Sequence, residues 1–233
     1  MWLLSLGLVV LLAGVECVYR ASLAQVPAFP QKVTVPSLPE SWNRVAWAHL
    51  EKTATPRVQP VWPTTIVFTV AEVVLRRPQS QSASQDMYPR GFGLADQVAR
   101  QWVHLLAREE KRVSRLGQFA LTIWLTRNWS AEELLAFKAH HLWFGRGLLG
   151  VSAAAPALLN KDAAQLDVSD VAFLLAVSEK AWAVACASDR LRRRRDTMLE
   201  EMHVAGAVTQ AEVDAARSAP WPLAVAASGA SCR

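Results

Sequence analysis

Apolar residues recur with the period of a helix through much of the chain after residue 90. Over residues 93–112 most charged side chains lie off one apolar stripe, as in an amphipathic helix. The stripe consists of Leu94, Val98, Trp102, Leu105 and Leu106. A more apolar run over residues 115–125 predicts a second helix. Ser130, with Glu133 three positions later, forms a capping box that begins a third helix running to about Trp143. This pattern predicts a mainly α-helical fold.

Glycines and capping residues mark the ends of further helices. The three glycines in FGRGLLG, residues 144–150, predict a turn. A capping sequence begins another helix over residues 167–177, and a long basic helix follows over residues 188–204. Gly206 breaks that helix, and the capping box of residues 209–212 opens a last short one.

The N-terminal residues form an apolar run of a different kind. Residues 1–15 carry no charge and, with the residues that follow, approach the roughly 20 residues that a membrane span needs. A cleaved signal peptide is the competing interpretation, since Ser22 and Ala24 are small residues at the spacing that a leader peptidase cuts. We favour an uncleaved membrane anchor over residues 1–20, because the Lys or Arg that usually precedes the apolar run of a signal peptide is missing.

The segment between the anchor and the helical region is rich in proline and tryptophan. Residues 21–63 show no helical period, so we expect an extended linker there. The apolar run over residues 65–75 predicts either a short helix or a buried strand, and residues 76–90 predict a flexible loop. A chain of 233 residues has room for one domain with a substantial core.

Composition limits the classes of function. The chain is 52% hydrophobic and 19% charged, which excludes a solvated, disordered protein. A net charge of +5 suits an anionic partner such as a phosphate or an acidic lipid headgroup. The arginine-rich residues 190–195 have no aromatic platform or helix-turn-helix beside them, so we expect no nucleic-acid partner. The histidines at 140 and 141 are adjacent and cannot form the i, i+4 pair of a zinc site, so no metal site is predicted there.

Four motifs follow one another in the helical region. RGFGLADQVAR at residues 90–100 parallels GGSTITQQLAR, and residues 130–155 parallel SKEEILExYLNxxYFGRGxxGVxxAA. Residues 158–176 and 194–216 parallel two further motifs, YFGKxxxELxxxEAALLA and RRNxVLxxMxxxGxITxxExxxA. Together the four resemble glycosyltransferase family 51, the peptidoglycan glycosyltransferase domain of class A penicillin-binding proteins and their monofunctional relatives.

The resemblance implies a fold and a location. We expect a single lysozyme-like helical transglycosylase domain over residues 64–223, with an N-terminal membrane segment and a flexible tail over residues 224–233. The domain would lie on the periplasmic side of the bacterial inner membrane, beside other cell-wall synthases. Arg20, directly after the apolar run, favours the opposite orientation to the one the family requires.

The resemblance also implies a substrate and a reaction. Its substrate would be lipid II, a disaccharide on a polyprenyl pyrophosphate, and its product the glycan strand. This chemistry needs a carboxylate to accept the proton of the attacking hydroxyl, together with cations to hold the departing pyrophosphate. A divalent metal, Mg²⁺ or Mn²⁺, would serve the second purpose in an active enzyme.

The carboxylates of the family site are missing from this chain. The motif of the general base, EDxxFxxHxG, has no counterpart, and the glutamate of KxxE falls on Gln118, with Arg115 at the lysine position. An amide can hydrogen-bond but cannot accept a proton at neutral pH. We therefore expect a degenerate transglycosylase that acts as a lipid II-binding or scaffold pseudoenzyme. The alternative is a weakly active enzyme with a relocated base, for which Asp96, Glu72 and Asp86 are candidates.

The cationic and amide residues of the family are better preserved. The resemblance assigns substrate binding to five of them: Gln97, Arg100, Arg115, Arg146 and Lys161. Arginine and lysine side chains at these positions would attract a pyrophosphate. The competing interpretation of each charge is a solvated residue near a helix end.

Overall fold

The computed structural model describes residues 2–33, 38–65, 89–145, 147–179 and 189–220. These residues form α1 (Trp2–Ala24), α2 (Glu40–Glu51), α3 (Phe92–Arg108), α4 (Arg115–Asn128), α5 (Ala131–His141), α6 (Val151–Leu159), a 3₁₀ turn (Ala163–Gln165), α7 (Val168–Glu179), α8 (Asp189–Val204) and α9 (Gln210–Ser218). The mainly α-helical prediction is confirmed for the described residues. The apolar run over residues 65–75, apart from its first residue, and most of the predicted loop after it lie outside them.

The chain divides into two compact units. The first unit contains residues 1–31 and 57–130, and the second contains residues 32–56 and 131–233. The predicted boundaries of anchor, linker, domain and tail do not follow this division, and they stay predictions.

In the first unit, α3 and α4 pack against each other and α1 packs on α4. Helix α3 begins after Gly91, whose positive φ of 82° and whose approach to Val58 leave no room for a side chain. Helix α4 is capped by Ser114, whose hydroxyl oxygen accepts a hydrogen bond from the Gly117 N–H at 3.0 Å. The apolar stripe predicted for α3 faces this core, with Leu94 and Val98 buried.

In the second unit, α7 is the central helix and packs against α2, α6, α8 and α9. Its residues from Asp170 to Val177 are all buried, which explains its almost uninterrupted apolar sequence. The side chain of Asp167 accepts from the Asp170 N–H and the side chain of Asp170 accepts from the Asp167 N–H, so the two residues cap the helix reciprocally. Thr209 and Glu212 form the predicted capping box of α9.

The prediction of an extended linker over residues 21–63 is wrong for its middle part, which forms α2. This helix begins directly after Pro39 and buries Trp42, Val45 and Trp47 in the core of the second unit. Residues 42, 45 and 46 have helical spacing, but the surrounding prolines hid the pattern over such a short window. Helix α6, whose small residues give little periodic contrast, was not predicted either.

The N-terminal apolar run is helical, as α1 shows. Within the part of the chain that the structure describes, no helix combines the length and the apolar character that a membrane crossing requires. The anchor over residues 1–20 stays a prediction.

Candidate functional site

The structure brings together two residues that the sequence singled out separately. Asp96 lies on the first turns of α3 and Gln118 on the first turn of α4. The Gln118 side-chain amide donates a long hydrogen bond, 3.4 Å, from Nε2 to Oδ1 of Asp96. The position of the missing family glutamate is therefore in contact with the carboxylate considered as its substitute.

A third residue, Thr122, lies one turn beyond Gln118 on the same face of α4. Its fully buried hydroxyl is 3.5 Å from Oδ1 of Asp96 and donates at 3.1 Å to the backbone carbonyl of Gln118. Sequence reasoning did not identify Thr122. The i, i+4 spacing from Gln118 was the available signal, because residues at that spacing share a helix face.

The other oxygen of Asp96 is held more closely. The guanidinium of Arg100 lies one turn further along α3, with Nη2 at 2.9 Å from Oδ2 of Asp96. The Asp96 side chain is 30% exposed and that of Arg100 is 54% exposed, so the pair sits at the edge of the unit. Gln97 is half-buried beside it, and Arg115 is exposed at the first residue of α4.

Lys161, in the second unit, forms ion pairs with the two residues that cap α7. Its Nζ lies 2.6 Å from Oδ2 of Asp170 and 3.2 Å from Oδ2 of Asp167. The hydrogen bond to Asp170 is the main reason why the pKa of Lys161 is raised above its usual value, although burial opposes it. Within the described residues, this lysine therefore balances the carboxylates at a helix start.

The predicted turn between α5 and α6 is present. Trp143 and Leu149 form an isolated antiparallel bridge, and Gly145, Gly147 and Gly150 all have positive φ. Arg146, predicted to bind substrate, lies outside the described residues, as do Glu72 and Asp86. For these three residues the sequence prediction stands untested.

A cluster of charges joins α2, α7 and α8 in the second unit. Glu179 accepts two hydrogen bonds from Arg194, at 2.7 and 2.9 Å, and its Oε1 lies 3.1 Å from Nε2 of His49. Burial lowers the pKa of His49, the nearby charge of Lys52 lowers it further, and Glu179 opposes both. The buried Nδ1 of His49 has no hydrogen-bond partner among the described residues, so the protonated ring is poorly accommodated.

A known protein family matches the part of the chain that contains these residues. The sequence profile of a family described as Transglycosylase matches residues 82–203, just over half of the 233-residue chain. The chain belongs to the transglycosylase family. The matched region runs from before α3 to near the end of α8, and so includes Asp96, Gln118 and Lys161.

Curated relatives match similar lengths of the chain. Penicillin-binding protein 1F of Bacillus subtilis (strain 168) is 28% identical over 109 residues, which are 46% of this chain and 15% of that protein. Penicillin-binding protein 1A of Rickettsia felis is 28% identical over 117 residues, which are 49% of this chain and 14% of that protein. The biosynthetic peptidoglycan transglycosylase of Xylella fastidiosa is 46% identical over 56 residues, which are 24% of this chain and 23% of that protein. The match thus covers less than a quarter of each of these relatives.

A divalent cation was expected only of an active enzyme. Among the described residues, no three His, Cys, Asp or Glu side chains come together in a group that could hold a metal ion. The Mg²⁺ or Mn²⁺ ion stays a prediction.

Proposed function

We propose that this transglycosylase-family chain binds lipid II at the outer face of the bacterial cytoplasmic membrane, as a scaffold beside cell-wall synthases, and is impaired in polymerising it. The contact between Gln118 and Asp96 carries the proposal. An amide stands where the family has a glutamate, and the nearest carboxylate already has one oxygen paired with Arg100 at 2.9 Å. A proton acceptor contributes about a hundredfold to ten-thousandfold to such a reaction, so its loss leaves binding with little turnover.

Cations at the matched positions support the binding part of the proposal. Arg115 is exposed at the start of α4, and Arg100, although more than half exposed on α3, is paired with Asp96 at 2.9 Å. Guanidinium groups bind phosphate oxygens through two parallel hydrogen bonds. Lys161, in the second unit, already forms ion pairs with Asp167 and Asp170, so it does not add to this support.

A weakly active enzyme with Asp96 as its base is the second candidate. The observation that favours it is the position of Asp96, whose Oδ1 lies 3.4 Å from the amide that replaces the family glutamate. A carboxylate in this place would need to exchange its partner Arg100 for the attacking hydroxyl of the substrate.

Polymerisation of labelled lipid II by the purified full chain separates the two candidates. We expect binding to vesicles that contain lipid II, and no glycan strands above background. Gln118→Glu tests whether an acid at the family position restores strands. If the native protein makes strands and Asp96→Asn abolishes them while Glu109→Gln does not, the second candidate is correct. If the native protein neither binds lipid II nor makes strands, both candidates are wrong.

A further inference from the structure

Asp96 is negatively charged, yet it lies beside residues at which the proposed function places an anionic ligand. Among the described residues it contacts the exposed guanidinium of Arg100, the amide of Gln118 and the buried hydroxyl of Thr122. The contact with Arg100, at 2.9 Å, is the shortest and the only one between opposite charges. In the family motif that residues 90–100 parallel, the corresponding residue is a neutral glutamine.

An ordinary ion pair on a helix surface does not explain the whole arrangement. Pairs at i, i+4 are common and contribute little to stability, because both side chains keep moving in solvent. Here the second oxygen of Asp96 faces the side chains of Gln118 and Thr122 on α4. The neighbouring helix therefore restrains the carboxylate in the position in which it neutralises Arg100.

We infer that Asp96 is an internal counter-ion that sets the affinity of this site for pyrophosphate by occupying Arg100. The inference rests on the proposed function and deepens it, since it names the residue that determines the anion affinity. A pyrophosphate that approaches α3 must displace the carboxylate from Arg100 and is repelled by it. Arg115 is an exposed cation three residues before Gln118. The proposed effect of Asp96 acts on Arg100 and does not apply to Arg115.

The test compares binding of inorganic pyrophosphate to the full-length protein and to Asp96→Asn, which keeps the shape of the side chain and removes its charge. We expect Asp96→Asn to bind about five- to fiftyfold more tightly, because one like charge is removed within a few ångströms of the bound anion. Glu16→Gln is the matched control: Glu16 also pairs with an arginine at i, i+4, Arg20, at 2.7 Å, and its side chain is 35% exposed. The control should leave the affinity unchanged.

Arg100→Ala shows whether the gain comes through Arg100. In the native background the substitution should weaken pyrophosphate binding, because it leaves the Asp96 carboxylate unpaired beside the anion. In the Asp96→Asn background the same substitution should remove most of the gain. If Asp96→Asn binds no more tightly than the native protein, or if its gain survives Arg100→Ala, the inference is wrong.

Vesicles with and without lipid II distinguish this inference from the proposed function. If the native protein binds lipid II vesicles and Asp96→Asn binds them no better, the proposed function stands and the inference is wrong. If only Asp96→Asn binds them, the counter-ion is confirmed, and native lipid II binding is wrong. Equal gains on anionic vesicles that lack lipid II would show that Asp96 controls binding to phosphate headgroups in general, which contradicts a site selective for pyrophosphate.

Discussion

Two glycines before α6 share a positive φ but differ in their surroundings. Gly147 has a φ of 77° and open space where a side chain would project, whereas at Gly150, with a φ of 84°, a Cβ atom would lie 2.7 Å from the backbone oxygen of His140. We expect Gly147→Ala to cost about 1–2 kcal/mol in the free energy of unfolding, from backbone strain alone.

For Gly150→Ala we expect a further loss of about 1–3 kcal/mol, because the clashing atom belongs to the backbone and cannot rotate away. Urea unfolding of the two variants measures the difference. Equal losses would mean that the backbone of α5 shifts without cost at this point.

His49 should make the stability of the second unit depend on pH. Its pKa in the folded protein is lowered, mainly by burial, so between about pH 6.5 and the folded-state pKa the unfolded chain binds more protons than the folded one. The free energy of unfolding is therefore constant above about pH 7 with respect to this group and falls as the pH drops below about 6.5.

The groups around His49 define the window for this measurement. The pKa of Arg194 is raised by its hydrogen bond to Glu179, and the pKa values of Glu179 and Glu201 are lowered by their cationic partners despite the opposing effect of burial. Urea unfolding between pH 5 and pH 7.5, compared with His49→Gln, isolates the imidazole. A pH profile identical in the two proteins would show that His49 is accessible to protons without cost.

At the scale of elements, the contact between α3 and α4 tests whether acid and amide have changed places. The family motifs have a glutamine on the first of these helices and a glutamate on the second, whereas this chain has Asp96 and Gln118 in contact at 3.4 Å. We expect Gln118→Glu alone to destabilise the fold by about 1–2 kcal/mol, because two carboxylates then face each other.

The double variant Asp96→Gln, Gln118→Glu should recover most of that loss, since it restores one acid and one amide. Equilibrium unfolding of the two single variants and the double variant gives the coupling energy. If the free-energy changes of the two single variants add up to that of the double variant within about 0.3 kcal/mol, the two side chains do not interact.

At the scale of the whole molecule, α2 contributes to the core although it lies before the region that the family profile matches. The profile begins at residue 82, whereas the second unit includes residues 32–56. Trp47 is fully buried, and its Nε1 donates to Thr53 at 2.9 Å. We expect Trp47→Ala to lower the free energy of unfolding by about 3–5 kcal/mol.

Trp143, in the same unit, is the matched control for this prediction. Trp143 is 56% exposed, so Trp143→Ala should lower the free energy of unfolding by less than about 1 kcal/mol. Thermal unfolding of the two variants, Trp47→Ala and Trp143→Ala, measures the difference. A small loss for Trp47→Ala would mean that the second unit is stable without α2.

Local sequence was enough to predict the family and the helices after residue 90 other than α6. Helical period, glycine breaks and capping boxes act over a few residues, so α3, α4, α5, α7, α8 and α9 could be predicted from local pattern. The matched motifs likewise depend on residue type and spacing alone. Helix α2 was not predicted because its apolar positions occupy a short window between prolines. Their burial depends on α7 and α8, which are far away in sequence.

The partners of the predicted site residues depend on how the helices pack, which local sequence does not show. The sequence named Asp96, Gln118, Arg100 and Lys161, but it could not show that Asp96 contacts Gln118 across two helices or that Lys161 pairs with the cap of α7. The role of a charge depends on its neighbours in space, and helices bring together residues that are 22 positions apart, as here. Local pattern fixes where helices form, while their packing fixes whether a cation is available to a ligand or already neutralised.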